Sequence, residues 1–258
     1  MSLIGDFAIA LAYKAGAIIR DNFSLNMQKE WKEDGSPTVV TDKRINDLIL
    51  REIIAQYPDD AILSEEGSLE NPESEYTWVC DPLDGTIPFS HGIPTCVFSL
   101  AYLYRGIPIL GVVYDPFMDR LFYGEKSCGA FLNGVPIQVS KKNDLPKALI
   151  GIGYAWNQIN LLSAIGALIE HRAITVQFAS NVYMGSLVAG GEFLAVYFGG
   201  KFPWDVAALK IIVEEAGGRV TDLQGSEQRY DQEIRGALIS NGCIHDQLLT
   251  FVNARIGT

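Results

Sequence analysis

Carboxylate side chains stand at three places in this chain where an apolar run ends or a helical pattern begins. Strand ends and helix starts are where α/β folds place functional side chains. Acids gathered at such positions lose hydration and repel one another, so a cation must compensate them. Hard cations such as Mg²⁺ prefer oxygen ligands, and the pattern therefore predicts a divalent metal centre. The acids are Glu65, Glu66, Asp81, Asp84 and Asp205.

Each of these acids also has a simpler local explanation. The stretch from Trp78 to Thr86, WVCDPLDGT, contains Asp-Pro and Asp-Gly, which favour turns for backbone reasons alone. Asp205 opens a predicted helix, where the helix dipole favours an acid, and Glu65 with Glu66 fits a solvated loop. Together the three sites favour the metal centre, because two ions about 4 Å apart that share a carboxylate can drive phosphoryl hydrolysis.

The spacing of apolar residues predicts the helices that precede these acids. Side chains three and four positions apart predict helices over residues 3–20 and 42–56, with Thr41 or Asp42 as the N-cap of the second. Between them, the polar stretch from Asn22 to Val40 predicts a mobile loop.

The rest of the chain divides into two patterns. From Cys96 to Leu132, apolar runs joined by short turns must pair as antiparallel strands. From about Leu145 the pattern alternates between strand and helix, which favours a mixed or parallel sheet. Within it, we interpret residues 185–191 as a Gly-rich connection and residues 203–216 as one helix.

We therefore expect two packed halves that share a cleft. The α+β half, residues 1–144, contains the antiparallel sheet and most of the acids. The α/β half, residues 145–258, supplies Asp205 and one wall of the substrate pocket. No internal repeat or flexible linker separates them.

Composition excludes several classes of protein. The 258 residues are 48% hydrophobic, enough for a large core. A formal net charge of −11 offers no positive field to attract nucleic acid or an anionic membrane. The apolar runs are shorter than a membrane span and the N-terminus does not follow a signal-peptide pattern, so we expect a cytoplasmic protein.

Three motifs in this order resemble the signature of the inositol monophosphatase family. They are Ser64–Gly67 (SEEG), Asp81–Thr86 (DPLDGT) and Trp204–Ala208 (WDVAA). The resemblance covers nearly the whole chain. It implies a layered α-β-α-β-α sugar-phosphatase fold and a Mg²⁺-dependent, lithium-sensitive phosphatase, with a homodimer as its expected assembly.

The resemblance also implies roles for single residues. Two or three Mg²⁺ ions are expected, the first held by Glu65, Asp81 and the Leu83 carbonyl, and the second by the carboxylates that Asp81, Asp84 and Asp205 supply. Thr86 with Asp42 and Glu65 is assigned to catalysis, in which the threonine orients the attacking water. Gly85, Thr86, Lys32 and Ser186 are assigned to the phosphate or the rest of the substrate.

The region before Asp205 departs from the family pattern. The family has a Gly-Ser/Thr-Ala-Ala helix start about two dozen residues upstream of this aspartate. Here Gly185-Ser186 is closer, as though two helical turns were missing. An acid that holds inositol hydroxyls is also expected, and its position falls near Phe198. We therefore expect an altered substrate pocket beside an intact metal site.

The leading hypothesis is a Mg²⁺-dependent phosphomonoesterase that hydrolyses inositol 1-phosphate or a related polyol or sugar phosphate. Fructose 1,6-bisphosphate and a 3′(2′),5′-bisphosphate nucleotide are the alternative substrates. From another class, the chain could be a catalytically silent relative that binds a metabolite. The intact acids and Thr86 argue against a silent protein.

Overall fold

Seven α-helices and fourteen strands make up the described part of the computed structural model, which comprises residues 2–25, 30–31, 37–153 and 161–253. The helices are α1 Leu3–Asn22, α2 Val40–Gln56, α3 Thr86–Ser90, α4 Leu162–Glu170, α5 Asn181–Ala189, α6 Ala207–Glu215 and α7 His245–Asn253, and a 3₁₀ turn covers Pro203–Asp205. The strands of the first half are β1 Glu30–Trp31, β2 Pro37–Thr38, β3 Ala61–Ser64, β4 Tyr76–Asp84, β5 Val97–Tyr104, β6 Ile107–Asp115, β7 Arg120–Glu125, β8 Gly129–Leu132 and β9 Val135–Pro136. Those of the second half are β10 Leu149–Ile152, β11 Ile174–Val176, β12 Ala195–Phe198, β13 Arg219–Thr221 and β14 Ala237–Ser240.

The first large sheet has seven strands in the order β3-β4-β5-β6-β7-β8-β9. Neighbours from β4 onward pair antiparallel as predicted, but β3 lies parallel to β4, so the sheet is mixed. In this parallel register Ser64 is the partner of Cys80, and the Glu65 N–H donates to the Cys80 carbonyl over 3.3 Å. Parallel strands end at the same edge of a sheet, so the acids that follow β3 and end β4 become neighbours.

The second large sheet has five strands in the order β11-β10-β12-β14-β13. Strand β10 lies parallel to both of its neighbours, whereas β14 pairs antiparallel with β12 and β13. This sheet is mixed, in agreement with the alternation of strand and helix in the sequence.

The two sheets and the helices stack in five layers. Helices α1 and α2 pack on the outer face of the first sheet, α5 and α6 fill the space between the sheets, and α4 and α7 pack on the outer face of the second sheet. The middle layer is tight, because a Cβ atom at Gly111 would lie 2.6 Å from the Ala208 carbonyl oxygen of α6. These contacts confirm the predicted α-β-α-β-α architecture.

Several predicted boundaries were wrong. Helix α2 begins at Val40 with Val39 as its N-cap, whereas Thr41 or Asp42 was predicted. The segment at 185–191 was predicted as a connection because it is rich in glycine, but most of it belongs to helix α5. The helix predicted over 203–216 is interrupted at Val206, between the 3₁₀ turn and α6.

The predicted mobile loop between Asn22 and Val40 lies partly outside the described residues. Its described part contains the two-residue pairing of β1 with β2. Among the helices that the structure describes, none combines the length and the apolar character that a membrane crossing requires.

Candidate metal centre and active site

Three of the predicted ligands meet at one buried point. Asp81 and Asp84 lie near the end of β4, and Asp205 ends the 3₁₀ turn that leads into α6. One carboxylate oxygen from each lies within 4.8 Å of the others. The three residues are 2%, 5% and 9% exposed in the same order.

A bulge in β4 explains how Asp81 and Asp84 reach the same place. Residues three apart in a regular strand point to opposite faces of the sheet. Here Asp81 pairs with Ser99 and Asp84 pairs with Val97, so β4 uses one residue more than β5 over this interval. The extra residue turns both carboxylates toward one side.

The electrostatics of this group match a cation site. Burial raises the pKa of Asp81 well above its usual range, and repulsion from Glu65, Asp84 and Asp205 raises it further. Burial and the charge of Asp84 likewise raise the pKa of Asp205. In the part of the chain that the structure describes, none of the three aspartates forms a salt bridge. Buried oxygen donors of this kind suit a hard divalent ion such as Mg²⁺.

Glu65 lies beside this group, though outside the set of oxygens within 4.8 Å. It is half-buried in the turn that follows β3, and its charge contributes to the raised pKa of Asp81. The Leu83 carbonyl, the other predicted ligand, accepts a hydrogen bond from the Thr86 hydroxyl over 3.0 Å. The roles of both groups as metal ligands stay predictions.

The Thr86 hydroxyl also lies 3.3 Å from Oδ1 of Asp42. Asp42 is buried in the first turn of α2, where its Oδ2 atom accepts the Val39 N–H over 2.6 Å. A hydroxyl donates one proton, so Thr86 can give it to either acceptor and keep its lone pairs for a water. The structure thus brings the predicted pair into hydrogen-bonding range.

Gly85 connects the acid-bearing strand to the short helix α3. Its φ of 95° is in the left-handed region, and a Cβ atom here would lie 2.6 Å from the Thr95 carbonyl oxygen. Only glycine fits this position without displacing backbone.

The start of α5, whose groups bind the Asp84 carboxylate, was not predicted from the sequence. The Asp84 carboxylate accepts the Ser180 hydroxyl and the backbone N–H groups of Asn181 (3.1 Å) and Val182 (2.9 Å). Burial raises the pKa of Asp84 to about 6, and these donors limit the rise. The Asn181 side-chain amide also donates to Oδ1 of Asp205 over 3.0 Å. A Ser-Asn pair ahead of an apolar run is an N-terminal helix signal that could have revealed this site.

This start of α5 corrects the predicted departure near Gly185. The helix begins at Asn181, about two dozen residues before Asp205, so no helical turns are missing. Gly185 lies inside the helix, where a Cβ atom would meet the Leu209 side chain at 2.2 Å.

One of the predicted substrate residues is enclosed in a helix, and another cannot be placed. Ser186 is completely buried within α5, and its hydroxyl donates to the Val182 carbonyl over 2.8 Å. Lys32 lies outside the described residues. Phe198, at the position where an acid was expected, is 2% exposed and packs in the core between the sheets.

A layered α/β fold around a buried carboxylate centre defines the class of metal-dependent phosphatases, and comparison with known proteins identifies the family. The sequence matches the inositol monophosphatase family over residues 2–256. Among relatives, a Thermotoga maritima fructose-1,6-bisphosphatase/inositol-1-monophosphatase is 33% identical, with 96% of this chain and 95% of that protein aligned. Inositol monophosphatase 3 of Solanum lycopersicum is 35% identical, with 96% of each chain aligned.

Solved structures agree with these sequence relationships. The Thermotoga maritima IMPase superimposes with a TM-score of 0.86 at 33% identity, covering 97% of both chains. An IMPase/NADP phosphatase complexed with Mg²⁺ and phosphate gives a TM-score of 0.86 at 25% identity, covering 98% of this chain and 95% of that chain. The chain therefore belongs to the inositol monophosphatase family, whose members are metal-dependent phosphoric monoester hydrolases. The predicted family, layered fold and enzyme class are confirmed.

Proposed function

We propose that the protein is a Mg²⁺-dependent phosphomonoesterase whose leading substrate is inositol 1-phosphate or a related polyol or sugar phosphate. The observation that carries this proposal is the meeting of three buried carboxylates from two parts of the chain. Their raised pKa values mean that the folded protein without a cation bears a repulsive cost. Buried carboxylates that repel one another are typical of functional sites, where a bound cation offsets the repulsion.

Two sets of donors would hold the metal ions, and the Asp81 carboxylate would belong to both. Glu65 and the Leu83 carbonyl would complete one set, and Asp84 and Asp205 would complete the other. Two or three Mg²⁺ ions bound there would supply Lewis-acid activation of water and neutralise charge on the phosphate.

The chain's own groups orient the reactants. Thr86 lies within hydrogen-bonding range of Asp42 and positions the attacking water. As the threonine hydroxyl takes up a proton from this water, it gives its own proton to the Asp42 carboxylate. The backbone of Gly85 and Thr86 faces the phosphate, and Lys32 is the residue we assign to its outer side. Asp84, fixed by the start of α5, keeps its place as the substrate enters.

The part of the substrate that carries the phosphate is specified less closely by the described residues than the phosphate itself. An aromatic side chain, Phe198, stands where an acid for inositol hydroxyls was expected. Fructose 1,6-bisphosphate is therefore a second candidate, supported by the similarity of this chain to the Thermotoga maritima fructose-1,6-bisphosphatase/inositol-1-monophosphatase. A 3′(2′),5′-bisphosphate nucleotide is the third, and a silent metabolite-binding protein is the alternative from another class.

A phosphate-release assay separates these candidates. The purified protein is incubated with inositol 1-phosphate, fructose 1,6-bisphosphate or adenosine 3′,5′-bisphosphate, with Mg²⁺ or with EDTA. We expect Mg²⁺-dependent turnover, highest kcat/KM for inositol 1-phosphate, and inhibition by lithium. If none of the substrates is hydrolysed, the phosphatase proposal is wrong and the catalytically silent, metabolite-binding protein is the remaining alternative.

Assembly, location and the division of the chain complete the proposal. We assign a homodimer, a cytoplasmic location and no nucleic-acid or membrane partner, and we keep the division into residues 1–144 and 145–258. Light scattering on the purified protein tests the dimer. Expression of the two segments separately tests whether the division marks independent folding units.

A further inference from the structure

A cavity of about 610 Å³ opens between α1 and the strands β7 and β8. Small-molecule sites usually enclose about 300–1,000 Å³, so this cavity has the size of a ligand site. No acid of the metal centre lines it, and the catalytic proposal does not use it.

Aromatic side chains form two of its walls. Tyr13 of α1 stands on one side, packed edge-on against Tyr114 with ring centroids 4.9 Å apart. Tyr123 of β7 and Phe131 of β8 stand on another, with centroids 6.4 Å apart. Faces of aromatic rings carry partial negative charge and attract cations.

One carboxylate on the cavity wall, that of Asp119, is held in place by its neighbours. The Tyr114 hydroxyl donates to its Oδ1 atom over 2.7 Å, and the Asn133 side chain donates to its backbone carbonyl over 2.8 Å. Its backbone has a φ of 52°, which fixes the turn that presents the side chain. Its Oδ2 atom accepts no hydrogen bond from another described residue.

The second carboxylate, that of Glu125, has a similar arrangement. Its Oε2 atom accepts hydrogen bonds from the Tyr123 hydroxyl and the Ser2 N–H. Burial opposes ionisation, but the donors from Tyr123 and Ser2 lower the pKa of Glu125 below its usual value, so it is charged at neutral pH. Among the described residues that line the cavity, none is a lysine, arginine or histidine.

We propose that this cavity binds a small organic cation, whose ammonium group pairs with Asp119 and Glu125 and whose apolar body packs on Tyr13, Tyr123 and Phe131. A neutral apolar ligand would dehydrate the carboxylates without replacing the lost interactions, and an anion would be repelled. The size of the cavity suits one small molecule better than a folded partner. This proposal does not depend on the phosphatase assignment.

The test compares 2-phenylethylammonium with the neutral 2-phenylethanol by calorimetric titration in saturating Mg²⁺, which occupies the metal centre. The wild-type protein should bind the ammonium ion saturably and the alcohol at least about tenfold more weakly, because the alcohol lacks the charge. The double variant Asp119→Asn with Glu125→Gln should lose most of this preference. Asparagine and glutamine still accept the tyrosine hydrogen bonds, so the fold should be retained, which circular dichroism checks.

Two further variants complete the design. Glu170→Gln removes an exposed charge at the end of α4 and should leave both affinities unchanged. Tyr13→Ala should weaken the binding of the ammonium ion several-fold, because it removes one aromatic wall of the cavity. Equal binding of the two probes, no saturable binding at millimolar concentration, or binding that persists in the double variant would overturn the proposal.

Discussion

The side-chain amide of Asn181 donates a hydrogen bond to the Oδ1 atom of Asp205 over 3.0 Å. The backbone N–H of Asn181 donates to Asp84 over 3.1 Å. A single residue at the start of α5 therefore orients two of the three clustered carboxylates, one at the end of β4 and one in the 3₁₀ turn before α6.

Replacing Asn181 by alanine should weaken Mg²⁺ binding. Partners that orient metal ligands typically contribute about 10- to 100-fold to metal affinity, and because the backbone bond from Asn181 to Asp84 is retained we expect about 10-fold. Calorimetric titration of Mg²⁺ measures it. Asn71→Ala, which removes a hydrogen bond to the Asp59 carbonyl in a distant loop, is the matched control. Equal Mg²⁺ affinities in the two variants would mean that Asn181 does not position Asp205.

Thr86→Val should reduce kcat without disturbing the metal centre. Valine keeps the shape of threonine but removes the hydroxyl that faces Asp42, so we expect a loss of roughly 10²- to 10⁴-fold in kcat, the usual contribution of proton transfer. Mg²⁺ affinity should stay within about twofold, and Thr86→Ser should restore most activity. A melting temperature that falls in step with kcat would instead assign Thr86 a structural role.

Gly85→Ala should destabilise the fold more than Gly129→Ala. Both glycines have a positive φ, which costs alanine about 1–2 kcal/mol, but only at Gly85 would the new methyl group collide with backbone. That collision adds about 1–3 kcal/mol. At Gly129 no atom lies within 4 Å of the added Cβ. Urea unfolding of the two variants measures the difference, and equal free energies of unfolding would contradict the clash.

His245 is buried in a chain of hydrogen bonds that requires its neutral form. The Thr221 hydroxyl donates to the Asp222 carbonyl, so its oxygen accepts from the His245 Nε2–H over 2.9 Å. The Gly242 N–H donates to the Ser240 hydroxyl oxygen, and that hydroxyl donates to His245 Nδ1 over 2.8 Å. Protonation of Nδ1 would remove the acceptor for Ser240.

The stability of the fold should therefore depend on His245 at acid pH. Burial lowers its pKa from 6.5 to about 4. As the pH falls, the unfolded chain takes up the proton first, so the contribution is complete above pH 6.5 and is lost between 6.5 and about 4. The loss amounts to about 3 kcal/mol. The measurement is the difference in unfolding free energy between wild type and His245→Asn, in which shared carboxylate titrations cancel. A difference that does not change with pH would contradict this account.

The acids of the metal centre could be predicted from the sequence because local motifs mark them. Asp81, Asp84 and Asp205 each lie in a short motif that is also typical of a turn or a helix start, and the order of these motifs along the chain adds specificity. The parallel pairing of β3 with β4 could not be predicted in the same way. Strand direction depends on contacts with distant strands, which no local pattern contains.

The start of α5 was harder to predict, because a glycine can mark the start of a helix or allow close packing inside one. Gly185 was interpreted as part of a helix start, yet it lies inside α5 to let Leu209 approach. The true start, at Ser180 and Asn181, follows Ala179, which has a φ of 55° where the sequence offers no glycine. The sequence alone could not show which role Gly185 has, because that role depends on how closely α6 packs against α5.

The most direct test of the metal centre is the melting temperature of wild type and Asp81→Asn, each with and without Mg²⁺. Mg²⁺ at about 100 times its Kd should raise the wild-type value by about 5–10 °C, since binding adds about 2.7 kcal/mol. Without metal, Asp81→Asn should melt at or above the wild-type temperature, because burial and repulsion destabilise the charged aspartate, and Mg²⁺ should shift it little. A wild-type protein indifferent to Mg²⁺, or a variant that melts far lower without metal, would contradict the assignment of these carboxylates to a metal site.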